Sequence, residues 1–264
     1  MPEKVKVLVL RTAGTNCDQE TAHAFSLVGA NADLVHINRL KEKEVKLNDY
    51  HILALPGGFT YGDDVASGKV LANELRYGLG EELDQFIEAG KLIIGICNGF
   101  QVLVKAGILP EHKAGDFDVS TTLTYNDSGK FEDRWVYLKS ATEKCVWTKD
   151  LAEIIYLPVA HGEGKFMPED NKVLEQLKKQ GQIVFRYVDS KGKAAKYPEN
   201  PNNSVDSIAG ICDPTGRIFG LMPHPERHVH PASHPRWTRE GLKSEGDGLA
   251  IFRNGVDFVA ENLI

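Results

Sequence analysis

The 264-residue sequence has no run approaching the about 18 consecutive apolar residues that a membrane-spanning helix needs, which excludes a helical membrane protein. It has no polybasic stretch, and its formal net charge of −6 argues against nucleic acid or an anionic membrane surface as partner. Its four cysteines are widely separated and form no Cys-x-x-Cys pair, so neither a disulfide framework nor a zinc site is indicated, and the reducing cytoplasm is the expected compartment. The N-terminal residues run directly into an apolar segment and lack the pattern of a secretion signal. No Gly-x-x-x-x-Gly-Lys-Ser/Thr loop occurs, and no Gly-x-Gly-x-x-Gly follows the first strand-like segment, so no part of the chain offers a recognisable nucleotide site. What is present is ordinary for a globular protein: 42% hydrophobic and 26% charged residues, enough for a sizeable core.

The first 110 residues alternate apolar runs with helix-like stretches. Strands are expected over 5–10, 32–37, 51–55 and 92–96, with helices over 17–28 and 70–89. Strands alternating with helices predict an α/β fold with a doubly wound, mostly parallel sheet. From about Phe117 the texture changes to short β-rich segments, over 119–124, 135–138, 154–158, 183–188, 208–212 and 218–222, and a final helix over 248–259 returns to the sheet. Residues 190–204 and 228–246 read as irregular surface loops. There is no internal repeat and no linker, so residues 1–264 are read as one domain.

The densest chemical signal lies at Lys91-Leu-Ile-Ile-Gly-Ile-Cys97-Asn98-Gly99-Phe100-Gln101. A buried strand enters Gly-x-Cys-x-Gly and a helix-like segment leaves it, stopping at Gly107. This is the shape of a nucleophile elbow with cysteine in place of serine. Cys97 would sit at the carboxyl end of a central strand, where ligands of open α/β sheets bind. A helix N-terminus beside it favours the reactive thiolate, and the Asn98 N–H is placed to meet a developing oxyanion. A thiol nucleophile needs a base held by a third group. Of nine histidines, His224 in Pro223-His224-Pro225-Glu226-Arg227 follows an apolar strand, and Glu226 two residues on can fix its tautomer. The remaining cysteines, Cys17, Cys145 and Cys212, have no base-like neighbour in sequence and read as structural. Asp63 and Asp64 read as turn-forming carboxylates.

Taken together, Cys97-Asn98-Gly99-Phe100-Gln101 and Pro223-His224-Pro225-Glu226-Arg227 resemble the class I (triad) glutamine amidotransferases. Further segments resemble the glutaminase subunits of phosphoribosylformylglycinamidine synthase more narrowly. They are Gly14-Thr15-Asn16-Cys17-Asp18, Pro56-Gly57-Gly58-Phe59-Thr60-Tyr61-Gly62-Asp63, Val159-Ala160-His161-Gly162-Glu163-Gly164 and Ile208-Ala209-Gly210-Ile211, and they span nearly the whole chain. The resemblance implies a three-layer, flavodoxin-like fold with additional short strands. It implies that Cys97 attacks the glutamine carboxamide to form a γ-glutamyl thioester, that His224 moves the protons and that Glu226 orients it. Gly58 would supply a second oxyanion N–H beside Asn98. Gln101 resembles a position that holds the glutamine α-substituents, although a solvated helix-surface glutamine fits the sequence equally well. Ala160-His161-Gly162 resembles the substrate-side loop, with a structural hydrogen-bonding role for His161 the alternative.

Formation of formylglycinamidine needs ATP, and the resemblance implies that ATP and Mg belong to a separate synthetase subunit, with no cofactor or metal on this chain. A small accessory subunit is expected in the same complex. Partner contacts are expected from residues 12–16, 59–67 and 228–246, around the strand ends. His228, His230 and His234 are read as loop histidines and not as a metal site. The alternatives are another triad amidotransferase, a partner-independent γ-glutamyl cysteine hydrolase, and a non-catalytic protein that keeps the elbow as a redox-sensing cysteine.

Overall fold

The computed structural model describes residues 4–115 and 118–264; the first three residues and Phe117, where the change of texture was expected, lie outside them. Three apolar runs form the strands β1 (Lys6–Arg11), β3 (Ile52–Leu55) and β4 (Leu92–Ile96), and a mixed polar and apolar segment forms β2 (Asn31–His36). Their side chains are almost all buried in β3 and β4, as a parallel strand covered on both faces requires. The later strands are β6 (Glu132–Ser140), β7 (Ile154–His161), β9 (Ile183–Val188), β10 (Ile208–Cys212) and β11 (Ile218–Leu221). They join the first four in one nine-stranded sheet of order β2-β1-β3-β4-β11-β10-β9-β6-β7. Two shorter strands, β5 (Thr121–Thr124) and β8 (Lys165–Pro168), pair with each other apart from it.

Strand direction decides where function can lie. The pairs from β2 to β11 are all parallel, and those from β11 to β7 are all antiparallel. Reversing direction at each antiparallel step makes β9 and β7 point the same way as the parallel set, and only β10 and β6 oppose it. The carboxyl ends of β1, β3, β4, β11 and β7 therefore share one edge of the sheet.

Chain connections place the helices. From β1, helix α1 (Asp18–Leu27) leads to β2 on one side, whereas from β3 the chain runs through α3 (Lys69–Gly78) and α4 (Gly80–Glu88) to β4 on the other, α2 (Ile37–Lys41) lying between β2 and β3. Right-handed crossovers in opposite directions put helices on opposite faces and open a switch point between β1 and β3. The pairings agree with this: α1 meets α8 (Leu249–Asn262), Phe25 lying edge-on to Phe252, while α3 meets α5 (Asn98–Lys105).

Several expectations needed correction. The single helix over 70–89 is two, broken at Leu79 (φ −137°), because the flanking Gly78 and Gly80 weaken helix continuation at that point. Ile37 ends no strand; it opens α2, whose first turn is capped by the His36 side chain. The strand expected to stop at Pro158 continues to His161, since β7 is an edge strand and a proline there forfeits no needed donor. Strand β8 and helix α6 (Asn171–Lys179) were not expected; Asp170 caps α6 through Oδ1 on the Val173 N–H. The stretch 228–246 is more ordered than a surface loop: it contains α7 (Trp237–Glu240), and Arg236 hydrogen-bonds Tyr137 and Tyr156 on β6 and β7.

Candidate active site

At the end of β4 the chain turns so sharply that Cys97 adopts φ 51°, ψ −104° before α5 begins at Asn98. A left-handed φ on a residue with a side chain is strained, and it is held here because Gly99 lies against β3, where an added Cβ would fall on the Leu55 carbonyl. The Cys97 N–H donates to Leu221 O at 2.8 Å, fastening the elbow to the end of β11. In the parallel register Leu221 faces Ile96, so the chain leaving β11 reaches His224 close to the nucleophile. The expected pairing of elbow and base thus follows from one strand pair.

His224 is itself anchored from the far side of the sheet, its N–H donating to Pro158 O at 2.8 Å. The sheet curls enough for β7, its last strand, to return to the nucleophile: Cys97 Sγ lies 3.6 Å from Ala160 O. His224 Nδ1 is 2.5 Å from Glu226 Oε1, which directs Nε2 to the site, and Nε2 is buried without a hydrogen-bond partner. The residues are almost inaccessible, Cys97 at 5% and His224 at 2% exposure. Burial alone would weaken the imidazole's hold on a proton, but the charges of Glu226 and Cys97 outweigh it and keep His224 well above the ordinary histidine value. The Cys97 thiol hydrogen points toward Ala160 O, and its sulfur also faces the imidazole.

Around the elbow the polar groups interlock. Asn98 opens α5, so its N–H belongs to the first helical turn, which lacks internal acceptors. Its side chain accepts from Thr60 N–H and Oγ at 3.2 and 2.7 Å and donates to Gln101 Oε1 at 2.9 Å and to Asp63 Oδ1 at 3.2 Å. Gly58, at φ +150°, bridges Thr15, and a Cβ there would lie 2.7 Å from Gly14 O, so backbone alone borders the site. Gln101 is buried and not solvated, and its amide donates to Glu163 O at 2.6 Å, so it ties the nucleophile's helix to the 160–164 segment. Lys105 on the same helix reaches Ser67 O at 2.5 Å and Glu163 Oε2 at 3.5 Å. Asp63 sits in a tight turn at φ 56°, and burial pushes its carboxyl up.

His161 is locked between Asn126 Oδ1 at 3.1 Å and Asn202 Nδ2 at 3.4 Å. Burial, reinforced by the charge of His224, lowers its pKa to about 3, so it stays neutral and makes structural hydrogen bonds. Gly162 O accepts the Asn126 N–H at 2.9 Å. Asn202 comes from the stretch expected to be a loop, and nothing local in its sequence signals this contact.

Cys17, read as structural, has a neighbour that its sequence position does not show. It is buried beside the imidazole, and the Sγ, His224 and Glu226 ligand atoms lie within 4.8 Å of one another. Among the described residues this is the one grouping of metal-ligand type. The Arg227 guanidinium, 3.1 Å from the sulfur, sets a fixed positive charge against it and disfavours a cation. His228 and His234 pack with Trp135 and Tyr156, while His230 Nε2 faces His23 Nε2 at 3.2 Å, so the three loop histidines do not converge. Cys145 and Cys212 are buried together, burial pushing the Cys145 thiol up. Of the expected contact regions, 12–16 and 59–67 meet at the site's rim, with Phe59 N–H on Gly14 O at 2.9 Å.

Residues 4–259 match the family described as the CobB/CobQ-like glutamine amidotransferase domain. The chain is 52% identical to the phosphoribosylformylglycinamidine synthase subunit PurQ of Dehalococcoides mccartyi, over 98% of this chain and 99% of that one. It is 45% identical to the PurQ subunit of Methanococcus maripaludis, covering 96% and 97%. A chain in the solved structure of PurLQS from Thermotoga maritima superimposes with a TM-score of 0.74 at 31% identity, covering 97% of this chain and all of that one.

Proposed function

Because the chain belongs to the family of PurQ subunits of phosphoribosylformylglycinamidine synthase, which are glutamine amidotransferases, we propose that it hydrolyses glutamine at Cys97 and passes the ammonia to a synthetase subunit. The observation that carries this reading is the convergence of a strained cysteine elbow with a buried His224–Glu226 pair on adjacent parallel strands.

The thiolate of Cys97 attacks the glutamine carboxamide carbon, and the oxyanion that forms is met by the N–H groups of Asn98 and Gly58. His224 gives its Nε2 proton to the departing nitrogen, the C–N bond breaks, and ammonia leaves a γ-glutamyl thioester. Water then gives a proton to Nε2 as it attacks the thioester carbon; the C–S bond breaks, and glutamate is released with the Cys97 thiolate and the protonated Nε2 restored. Glu226 holds the tautomer throughout. Glutamine and water are consumed, glutamate and ammonia formed.

Ammonia is useful to a partner only if it avoids protonation in bulk water, so the synthetase must cover the site's mouth. It would use ATP and Mg to convert formylglycinamide ribonucleotide to formylglycinamidine ribonucleotide, with a small accessory subunit in the same cytoplasmic complex. Phe59 and Phe131, both about half exposed with ring centroids 6.2 Å apart, support the 59–67 rim as part of the covered face. The test is reconstitution. Ammonium should sustain the synthetase alone, and glutamine should sustain it only when this chain is added; glutamine use without this chain would overturn the proposal.

A further inference from the structure

The imidazole of His224 touches two thiols, and the reaction above uses one. We propose that Cys17 is a positioning residue for His224, its sulfur forming one wall of the socket that holds the imidazole and facing the ring as it takes up and gives back its proton. This rests on the reading of His224 as the base.

The socket is built from three segments. Gly57 lies so close to the ring that an added Cβ would be 2.8 Å from His224 Cε1 and 3.2 Å from Cys17 Sγ. Glu226 holds Nδ1. Cys17 closes the third side at 1% exposure. Its backbone is fixed, the N–H on Gly57 O at 3.2 Å and the carbonyl accepting Thr21 N–H at 3.0 Å and Oγ at 2.7 Å. Its thiol hydrogen points to Asn16 Oδ1 at 3.2 Å, and the sulfur accepts from Arg227 Nη2 at 3.1 Å. Arg227 is held in turn by Glu20 Oε2 at 3.2 Å on α1. A sulfur placed from three directions against a catalytic ring is more than core filling.

The electrostatics agree. Burial pushes the Cys17 thiol up, so it stays neutral near pH 7 and acts as a polarisable dipole, not as a second nucleophile. Its contact with His224 favours the protonated imidazole. The other groups facing His224 are Cys97 from the elbow, His161 from β7, and Glu226 and Arg227 from its own segment. His161 is neutral and Glu226 carries the counter-charge, which leaves Cys17 and Arg227 to set the balance on the Gly57 side.

The experiment follows the His224 imidazole by NMR in the full chain, labelled at histidine and cysteine, with glutamine turnover measured in the reconstituted complex. In Cys17→Ala the titration midpoint of His224 should fall by about half a unit or more. Turnover should fall about tenfold in kcat while KM for glutamine stays within about twofold, and Cys17→Ser should recover most of both. An unchanged midpoint in Cys17→Ala overturns the proposal, as does a loss that serine does not recover. If the alanine variant does not fold, the unsubstituted protein decides: the Cys17 Cβ resonance should move with the His224 titration, and its failure to do so overturns the proposal. These titrations do not depend on turnover, so an inactive complex with a normal Cys17–His224 titration would count against the proposed function alone.

Discussion

The two halves of the sheet build the site in different ways. In the parallel half, each contribution comes from a turn at the end of its own strand: Gly58 after β3, Cys97 and Asn98 after β4. In the antiparallel half, the 159–164 segment is marked in sequence, but its partners come from distant parts of the chain. Ala160 O and Pro158 O matter only because the sheet curls until β7 meets the elbow, and His161 only because Asn126 and Asn202 converge on it from distant segments. Strand β11 belongs to both, parallel to β4 and antiparallel to β10, and the chain leaving it carries His224. In the proposed mechanism the parallel half supplies the reacting atoms, and the antiparallel half holds them in register.

This division can be broken in graded steps. Cys97→Ala removes the nucleophile from the parallel half, and glutamine hydrolysis should fall by at least about 10⁴-fold with ammonium-dependent synthesis by the complex unaffected. Glu226→Gln keeps the shape but allows the wrong tautomer, and kcat should fall about 10²- to 10³-fold with little change in KM. Lys105→Met cuts the tie between the halves. Its partner Glu163 would be left buried without its counter-charge, and stability should drop by about 3–5 kcal/mol in chemical denaturation.

The fourth test concerns pH and the antiparallel half alone. His161 has a folded pKa of about 3 against an ordinary 6.5, so between these values the unfolded chain binds a proton that the folded one refuses. Stability from this group is therefore intact above pH 6.5 and is lost as pH falls toward 3, at a slope of up to about 1.4 kcal/mol per unit. His161→Gln should show a shallower acid limb than the unsubstituted protein in parallel denaturation series. The smallest effect is expected at the rim, where Phe59→Glu should reduce glutamine-dependent synthesis by about tenfold or less while leaving ammonium-dependent synthesis unchanged.

The same division explains what could be read in advance. The elbow was legible because the Gly-x-Cys-x-Gly spacing, the apolar strand and the helix stop at Gly107 are all local; Gly107 indeed closes α5 at φ +71°, with its N–H on Val104 O. Three strands of the parallel half, β1, β3 and β4, announced themselves by unbroken apolar runs. Helix α6 carries local marks too, Asp170 as cap and Leu174 and Leu177 on one face, but they are short and sit among β-rich segments. The break at Leu79 was visible in its flanking glycines. Cys17 was not legible, since no spacing rule connects it to a histidine 207 positions further on; only the switch point between β1 and β3 brings them together. The burial of Gln101 was not legible, because helix periodicity does not reveal that the 160–164 segment closes over it.

The central claim is that Cys97, activated by His224, is the thiol that attacks glutamine. Its most direct test is treatment of the native protein with an electrophilic glutamine analogue, followed by mapping of the modified residue. The account predicts a single adduct on Cys97, suppressed by excess glutamine and slowed in His224→Ala. An adduct on Cys17 or elsewhere, or labelling of Cys97 at an unchanged rate without His224, would contradict it.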